Sequence, residues 1–127
     1  MVINAPSLAN INLLDFGKQV SELVEGGVRF FHVDLMDGHY VNNLCFPLTV
    51  VKNLKDKYPD CVVEVHMMVE NPIDYIEVLK QYGADYVAFH CDSTSFIRRT
   101  ITTIQAVGMK AGIVLNPSQR IDIIETG

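Results

Sequence analysis

The residues of this 127-residue chain with most chemistry in them lie in "FFHVDLMDGHY", positions 30–40, where His32 and Asp34 interrupt an apolar run. A β-strand sends residues i and i+2 to the same face, so these two side chains leave together, about 6.6 Å apart along the strand. Burying an unpaired ionisable group costs several kcal/mol. The pair therefore needs a partner, which could be a neighbouring side chain, a metal or a substrate. His66, in "CVVEVHMMV", falls on the next expected strand, about 4.8 Å to the side if the two strands pair. Two imidazoles and a carboxylate converging in this way form an N/N/O set suited to zinc or iron, with positions left open for water or substrate. The alternative is that each histidine is a satisfied core or loop residue. Three such groups on adjacent strand ends tip the spacing towards a metal.

Those side chains need a scaffold, and the rest of the chain reads as strands alternating with helices. "VINAPSL" is a first expected strand, and "RFFHVDLM", "CVVEVHMMV", "DYVAFHC" and "KAGIVLNP" are four more. Between the first two, Leu13, Phe16, Val20, Leu23 and Val24 recur near the helical period, with Asn12 placed to cap the start and Gly26-Gly27 to end the helix. "LTVVKNLKDKY" predicts a helix stopped by Pro59. Asn71-Pro72 predicts an N-cap followed by proline in the first helical turn, with Ile73, Ile76 and Leu79 on one face and a stop near Gly83. "STSFIRRTITTIQAVG" predicts a helix capped by serine or threonine and ended by Gly108, and "SQRIDIIETG" opens another.

Composition narrows the function classes. A hydrophobic fraction of 49% is that of a globular protein, and the length suits one domain, residues 1–127. A net charge of −5 and a pI near 5.2 argue against nucleic-acid binding by bulk electrostatics. With no run of 18 apolar residues and no basic segment leading into an apolar one, neither a membrane span nor a secretory signal is expected. Cys45, Cys61 and Cys91 are odd in number and form no C-x-x-C pair. This fits a reducing cytoplasm better than a disulfide framework.

Strands alternating with helices imply a parallel sheet, since parallel neighbours need a crossover. The strands are continuous apolar runs, as expected where both faces are covered. Length favours an open sheet, because a (β/α)8 barrel uses roughly 250 residues. The polar residues favour a barrel. Ser7, His32 with Asp34, His66, His90 and Asn116 stand at or near the C-terminal ends of successive strands, and the phosphate-cradling G-x-G-x-x-G and Walker patterns are absent. An open sheet would gather its site at one switch point instead.

At this level of detail the chain resembles the ribulose-phosphate 3-epimerases. "APSLA", "HVDLMDGHYVNN", "VHMMVENP", "GADYVAFH" and "GMKAGIVLNPS" carry the resemblance, in the family's order and spacing. The resemblance implies a (β/α)8 TIM barrel, of which this chain holds about the first five βα units. It also implies a divalent metal (zinc or iron first, manganese or cobalt after them) and interconversion of D-ribulose 5-phosphate and D-xylulose 5-phosphate in the pentose phosphate pathway. His32, Asp34 and His66 are similar to three of the family's four metal ligands, and Asp34 also to one of its two acid-base aspartates. Ser7, His66, Met36 and Met68 are similar to residues that contact substrate. The chemistry agrees. Epimerising the carbon beside a ketone removes its proton and returns one to the opposite face, which takes two acid-base groups and stabilisation of an enediolate.

Two departures follow from the same resemblance. The family's second aspartate and its glycine-rich phosphate turns come from later strands, whereas this sequence reads only to "IDIIETG". Asp37, in the turn after the same strand as Asp34, reads as a turn residue and no substitute. The chain alone is therefore expected to bind metal weakly and to lack efficient activity. In addition, "VNNLCFPLTVV" departs from the family's loop at Asn42, Cys45, Pro47 and Leu48. That leaves a hexulose phosphate such as allulose 6-phosphate as an alternative substrate. A reading from another class is a non-catalytic half-barrel. Its first and last strands would be open edges that favour pairing, so a homo-oligomer is expected. His39 and His90 read equally as residues that orient loops.

Overall fold

The structure is a computed structural model and describes residues 13–36 and 47–115. Four parallel strands stand in the order β1-β2-β3-β4: β1 Phe30–Met36, β2 Val62–Met68, β3 Tyr86–His90 and β4 Lys110–Val114. Helices α1 Phe16–Glu25, α2 Thr49–Lys57, α3 Ile76–Tyr82 and α4 Ile97–Ala106 alternate with them. Each strand lies beside its sequence neighbour, as right-handed βαβ crossovers produce. β1 to β4 are the second to fifth strands expected from sequence. The expected first strand, with Ser7, lies outside the described residues, as do Asn12, Asp37, His39, Asn42, Cys45, Asn116 and the last expected helix.

The helix layer covers one face of the sheet. Phe31, Val33 and Leu35 of β1, Val63, Val65 and Met67 of β2, and Val87 and Phe89 of β3 all point into it and are buried. There they meet Val20 of α1, Val51 and Leu54 of α2, Ile76 and Leu79 of α3, and Ile104 of α4. Each such side chain contributes about 1.5–3 kcal/mol. The opposite face is only half-buried, so burial alternates strictly along β1 and β2. Met36, Met68 and Phe30 sit on this half-buried face beside the polar groups.

Three helix ends show how the connections are made. At the end of α1, the Gly26 and Val28 amides donate to the Glu22 and Leu23 carbonyls, and Gly27 takes φ 98°, a conformation costly for any residue with a Cβ. Asn71 stands at the expected N-cap position, with Pro72 after it in the first turn. Its side chain makes no cap bond and its backbone sits at φ 51°, leading Pro72 into a single 3₁₀ turn (Pro72–Tyr75) before α3. The expected Ser/Thr cap of α4 is displaced, since Thr94 Oγ1 accepts from the Phe96 amide one residue ahead of the helix.

The N-terminal end of the sheet is clamped by Asp85, which follows Gly83-Ala84. Its Oδ2 accepts from the Val63 amide at 2.9 Å and from Lys55 Nζ at 3.1 Å, while Lys55 also donates to the Cys61 carbonyl at 2.6 Å. One carboxylate thus ties α2, β2 and β3 together at the end remote from the histidines. Conservation of register at that end matters for the other, because a parallel strand carries its alignment along its whole length.

Candidate metal and catalytic centre

The half-open face carries the polar groups, and the register sets which of them meet. Asp34 pairs with His66 across β1 and β2, and His32 pairs with Glu64. All four belong to the alternating set that points away from the helices. Asp34 is the innermost, its side chain 14% exposed, against 24% for His32 and 21% for His66.

Asp34 Oδ1 is the meeting point. His32 Nε2 lies 2.9 Å from it and His66 Nδ1 3.2 Å from it. A neutral imidazole has one N–H, and His32 has a carboxylate against each ring nitrogen, Asp34 at Nε2 and Glu64 Oε1 3.2 Å from Nδ1. With its proton on Nδ1, donated to Glu64, the Nε2 lone pair points at an oxygen lone pair 2.9 Å away. Only a positive charge between them, a proton or a metal ion, makes that contact favourable. The ligand atoms of His32, Asp34 and His66 all lie within 4.8 Å of one another. Adjacent donors around an ion with bonds of about 2.1 Å are separated by roughly 3.0–3.4 Å, and the two contacts to Asp34 are already close to that. The donor set and its spacing fit a divalent transition metal.

Electrostatics act in the same direction. Burial, then the neighbouring His90, and more weakly His32, lower the pKa of His66 from the ordinary 6.5, against an upward pull from Asp34. A neutral imidazole is the form that ligates metal. His66 in turn contacts His90, the Nε2 atoms lying 2.8 Å apart and the rings stacked with centroids 4.9 Å apart.

The structure therefore brings together His32, Asp34 and His66, as the spacing predicts. It sets Met36 and Met68 in register with each other, two residues beyond Asp34 and His66 on the same half-buried face. Ser7 lies outside the described residues. Glu64 is a group that the sequence reading passed over, although it stands two residues before His66 and so shares its face. The same period that flagged His32 with Asp34 flags Glu64 with His66. His90, left undecided between loop and site, belongs to the site's contact network. Among the described residues, no helix is long and apolar enough to cross a membrane.

Comparison with known proteins gives the family. The chain is 38% identical over 122 residues to ribulose-phosphate 3-epimerase of Rhodobacter capsulatus, covering 95% of this chain and 53% of that protein. It is 34% identical over 125 residues to the Bacillus subtilis enzyme of the same name, covering 98% of this chain and 57% of that protein. The chloroplastic ribulose-5-phosphate-3-epimerase of Arabidopsis thaliana is 36% identical over 126 residues. The chain thus spans about half the length of the curated relatives it matches. Among solved structures, a 7,8-dihydropteroate synthase from Vibrio fischeri superposes with a TM-score of 0.50 at 13% identity, over 91% of this chain and 60% of that one. That is a likeness of fold alone. The fold class is α/β of the (β/α)8-barrel type, present here in part. With residues 3–126 matching the family model of the same enzymes, the chain belongs to the ribulose-phosphate 3 epimerase family.

Proposed function

We propose that this chain is the N-terminal part of a ribulose-phosphate-binding barrel and carries one half of a metal-dependent epimerisation site. The reaction is exchange of D-ribulose 5-phosphate and D-xylulose 5-phosphate at C3, in the pentose phosphate pathway and the cytoplasm. The observation that carries this reading is the convergence of His32 Nε2 and His66 Nδ1 on one oxygen of Asp34. It combines with the family's name for its relatives.

In this reading His32, Asp34 and His66 hold a divalent ion, zinc or iron in preference to manganese or cobalt. When bound, the ion supplies Lewis-acid stabilisation of negative charge on the substrate's oxygens. Asp34 takes the C3 proton on one face and can return it there, its carboxylate held among the histidines at the C-terminal end of β1. Met36 and Met68 line the space above it with apolar surface, and His66 and Ser7 contact the sugar. The opposite face requires a second acid-base group from beyond these strands. The 127 residues by themselves therefore bind metal but turn substrate over poorly.

The test is complementation. The chain is mixed with, or fused to, the portion of the Bacillus subtilis enzyme that follows its matched segment. The expected result is one Co²⁺ per chain and deuterium exchange at C3 of D-ribulose 5-phosphate, both lost in Asp34→Asn. If the Bacillus N-terminal half supports exchange in the same assay and this chain does not, the reading is wrong. Efficient turnover by the chain alone would overturn the requirement for a second acid-base group.

A further inference from the structure

The three groups that meet at Asp34 are extended at both ends. Glu64 lies across from His32 in register, its Oε1 3.2 Å from His32 Nδ1. His90, the last residue of β3, places its Nε2 2.8 Å from His66 Nε2. The contacts run Glu64, His32, Asp34, His66, His90 across three strands without a gap. Glutamate is disfavoured within a strand, and partial burial of a carboxylate demands a partner. The partner of Glu64 is the outer nitrogen of a candidate ligand.

We infer that Glu64 and His90 are positioning residues: Glu64 fixes the His32 ring with Nε2 towards Asp34, and His90 fixes the His66 ring with Nδ1 towards Asp34. The terminal torsion of a histidine is broad and roughly two-fold. Without an outer partner, each ring could present either edge to the shared oxygen. With one, rotating the ring gives up a hydrogen bond in a half-buried place. Proton placement follows from the same contacts. In the metal-free chain His66 donates from Nδ1 to Asp34, so its Nε2 accepts from His90. Were Nδ1 to hold an ion, the His66 proton would sit on Nε2 and the contact with His90 would run the other way. His90 serves both arrangements because its ring nitrogen can accept or donate. The consequence for metal affinity rests on the metal-binding reading proposed above; the ring placement does not.

Two measurements on the 127-residue chain test this. Titration with Co²⁺ should show binding weakened about 10–100-fold in Glu64→Ala and His90→Phe, as for outer partners of ligating histidines generally. Glu64→Gln should lose less, since the amide oxygen still accepts. Long-range ¹H–¹⁵N spectra of the metal-free chain should show the His66 proton on Nδ1. They should also show ring signals that change at His32 in Glu64→Ala and at His66 in His90→Phe, which a general loss of stability does not produce. If both variants fold and the His32 and His66 ring signals stay as in the wild type, the inference is overturned. A wild-type chain that takes up no Co²⁺ overturns the metal reading instead, and the ring spectra still decide the positioning roles. Glu64→Leu, close to glutamate in size but without an acceptor, carries the test at that position if Glu64→Ala does not fold.

Discussion

Asp34 and His66 are register partners across β1 and β2, and the Asp34 oxygen that accepts from His66 Nδ1 at 3.2 Å is the one that meets His32 Nε2 at 2.9 Å. One carboxylate oxygen thus links two histidines on neighbouring strands. The arrangement depends on strand register, because a slip of one residue would send Asp34 into the helix layer.

The first prediction concerns that oxygen. Asp34→Asn keeps the shape and removes the negative charge on which the two nitrogen donors converge. Co²⁺ affinity should fall by more than the roughly 10–100-fold typical of losing an outer partner, while the far-ultraviolet circular dichroism stays the same. Binding within about threefold of the wild type would show that the ion, if bound, sits elsewhere.

A second prediction separates scaffold from site. Asp85 accepts from the Val63 amide and from Lys55 at the opposite end of the strands. Hydrogen bonds to a charged group are worth about 1.5–3 kcal/mol when buried. Asp85 is 37% exposed, so solvent screening reduces the cost of Asp85→Ala to about 1–2 kcal/mol. The urea midpoint should fall accordingly with no change in Co²⁺ affinity. A change in affinity with an unmoved midpoint would contradict the division of roles.

Much of this was legible in the residues, for reasons that differ by element. β1 and β2 were recognisable because apolar runs bounded by turn signals are short here, and His32 with Asp34 shows the period of two directly. The parallel pairing followed from the intervening helices. Asn71 was placed at the right position, but its lack of a side-chain cap bond was not legible, because an asparagine before proline fits a side-chain cap and a left-handed turn equally well. Glu64 shares a face with His66 by the same period and was overlooked; that its partner is His32 depends on cross-strand register, which spacing within one strand does not give.

The cysteines provide a third prediction. Cys61 and Cys91 are each 2% exposed, and burial pushes the Cys61 thiol above its ordinary value. A buried thiol reacts only when the structure opens, and core segments open rarely. Alkylation of both residues should be slower in the native chain than in urea by at least on the order of 100-fold, read by mass spectrometry of the peptides. Rapid labelling of Cys91 in native buffer would mean that the start of the Cys91–Ser93 turn is not packed as described.

The last prediction is a pH dependence, and its sign follows from His66. In the metal-free chain its pKa is held below the ordinary 6.5 by burial first and by His90 next, with Asp34 opposing. The unfolded chain titrates His66 near the ordinary value. Between that value and the lower folded one, the unfolded state binds more protons, so stability rises with pH across the window. The contribution is complete above about 6.5 and is lost progressively as the pH falls towards the folded pKa. With chelator present, the urea midpoint of the wild type should therefore drop from pH 7.5 to pH 5.5 by more than that of His66→Asn, which has nothing to protonate at that position. Carboxylates that do not touch His66 contribute equally to both proteins, so the difference between the two drops reports on the histidine and its contact with Asp34. Equal drops would show that His66 is no harder to protonate in the folded chain than in the unfolded one, and the neutral, ligand-ready imidazole argued for here would lose its support.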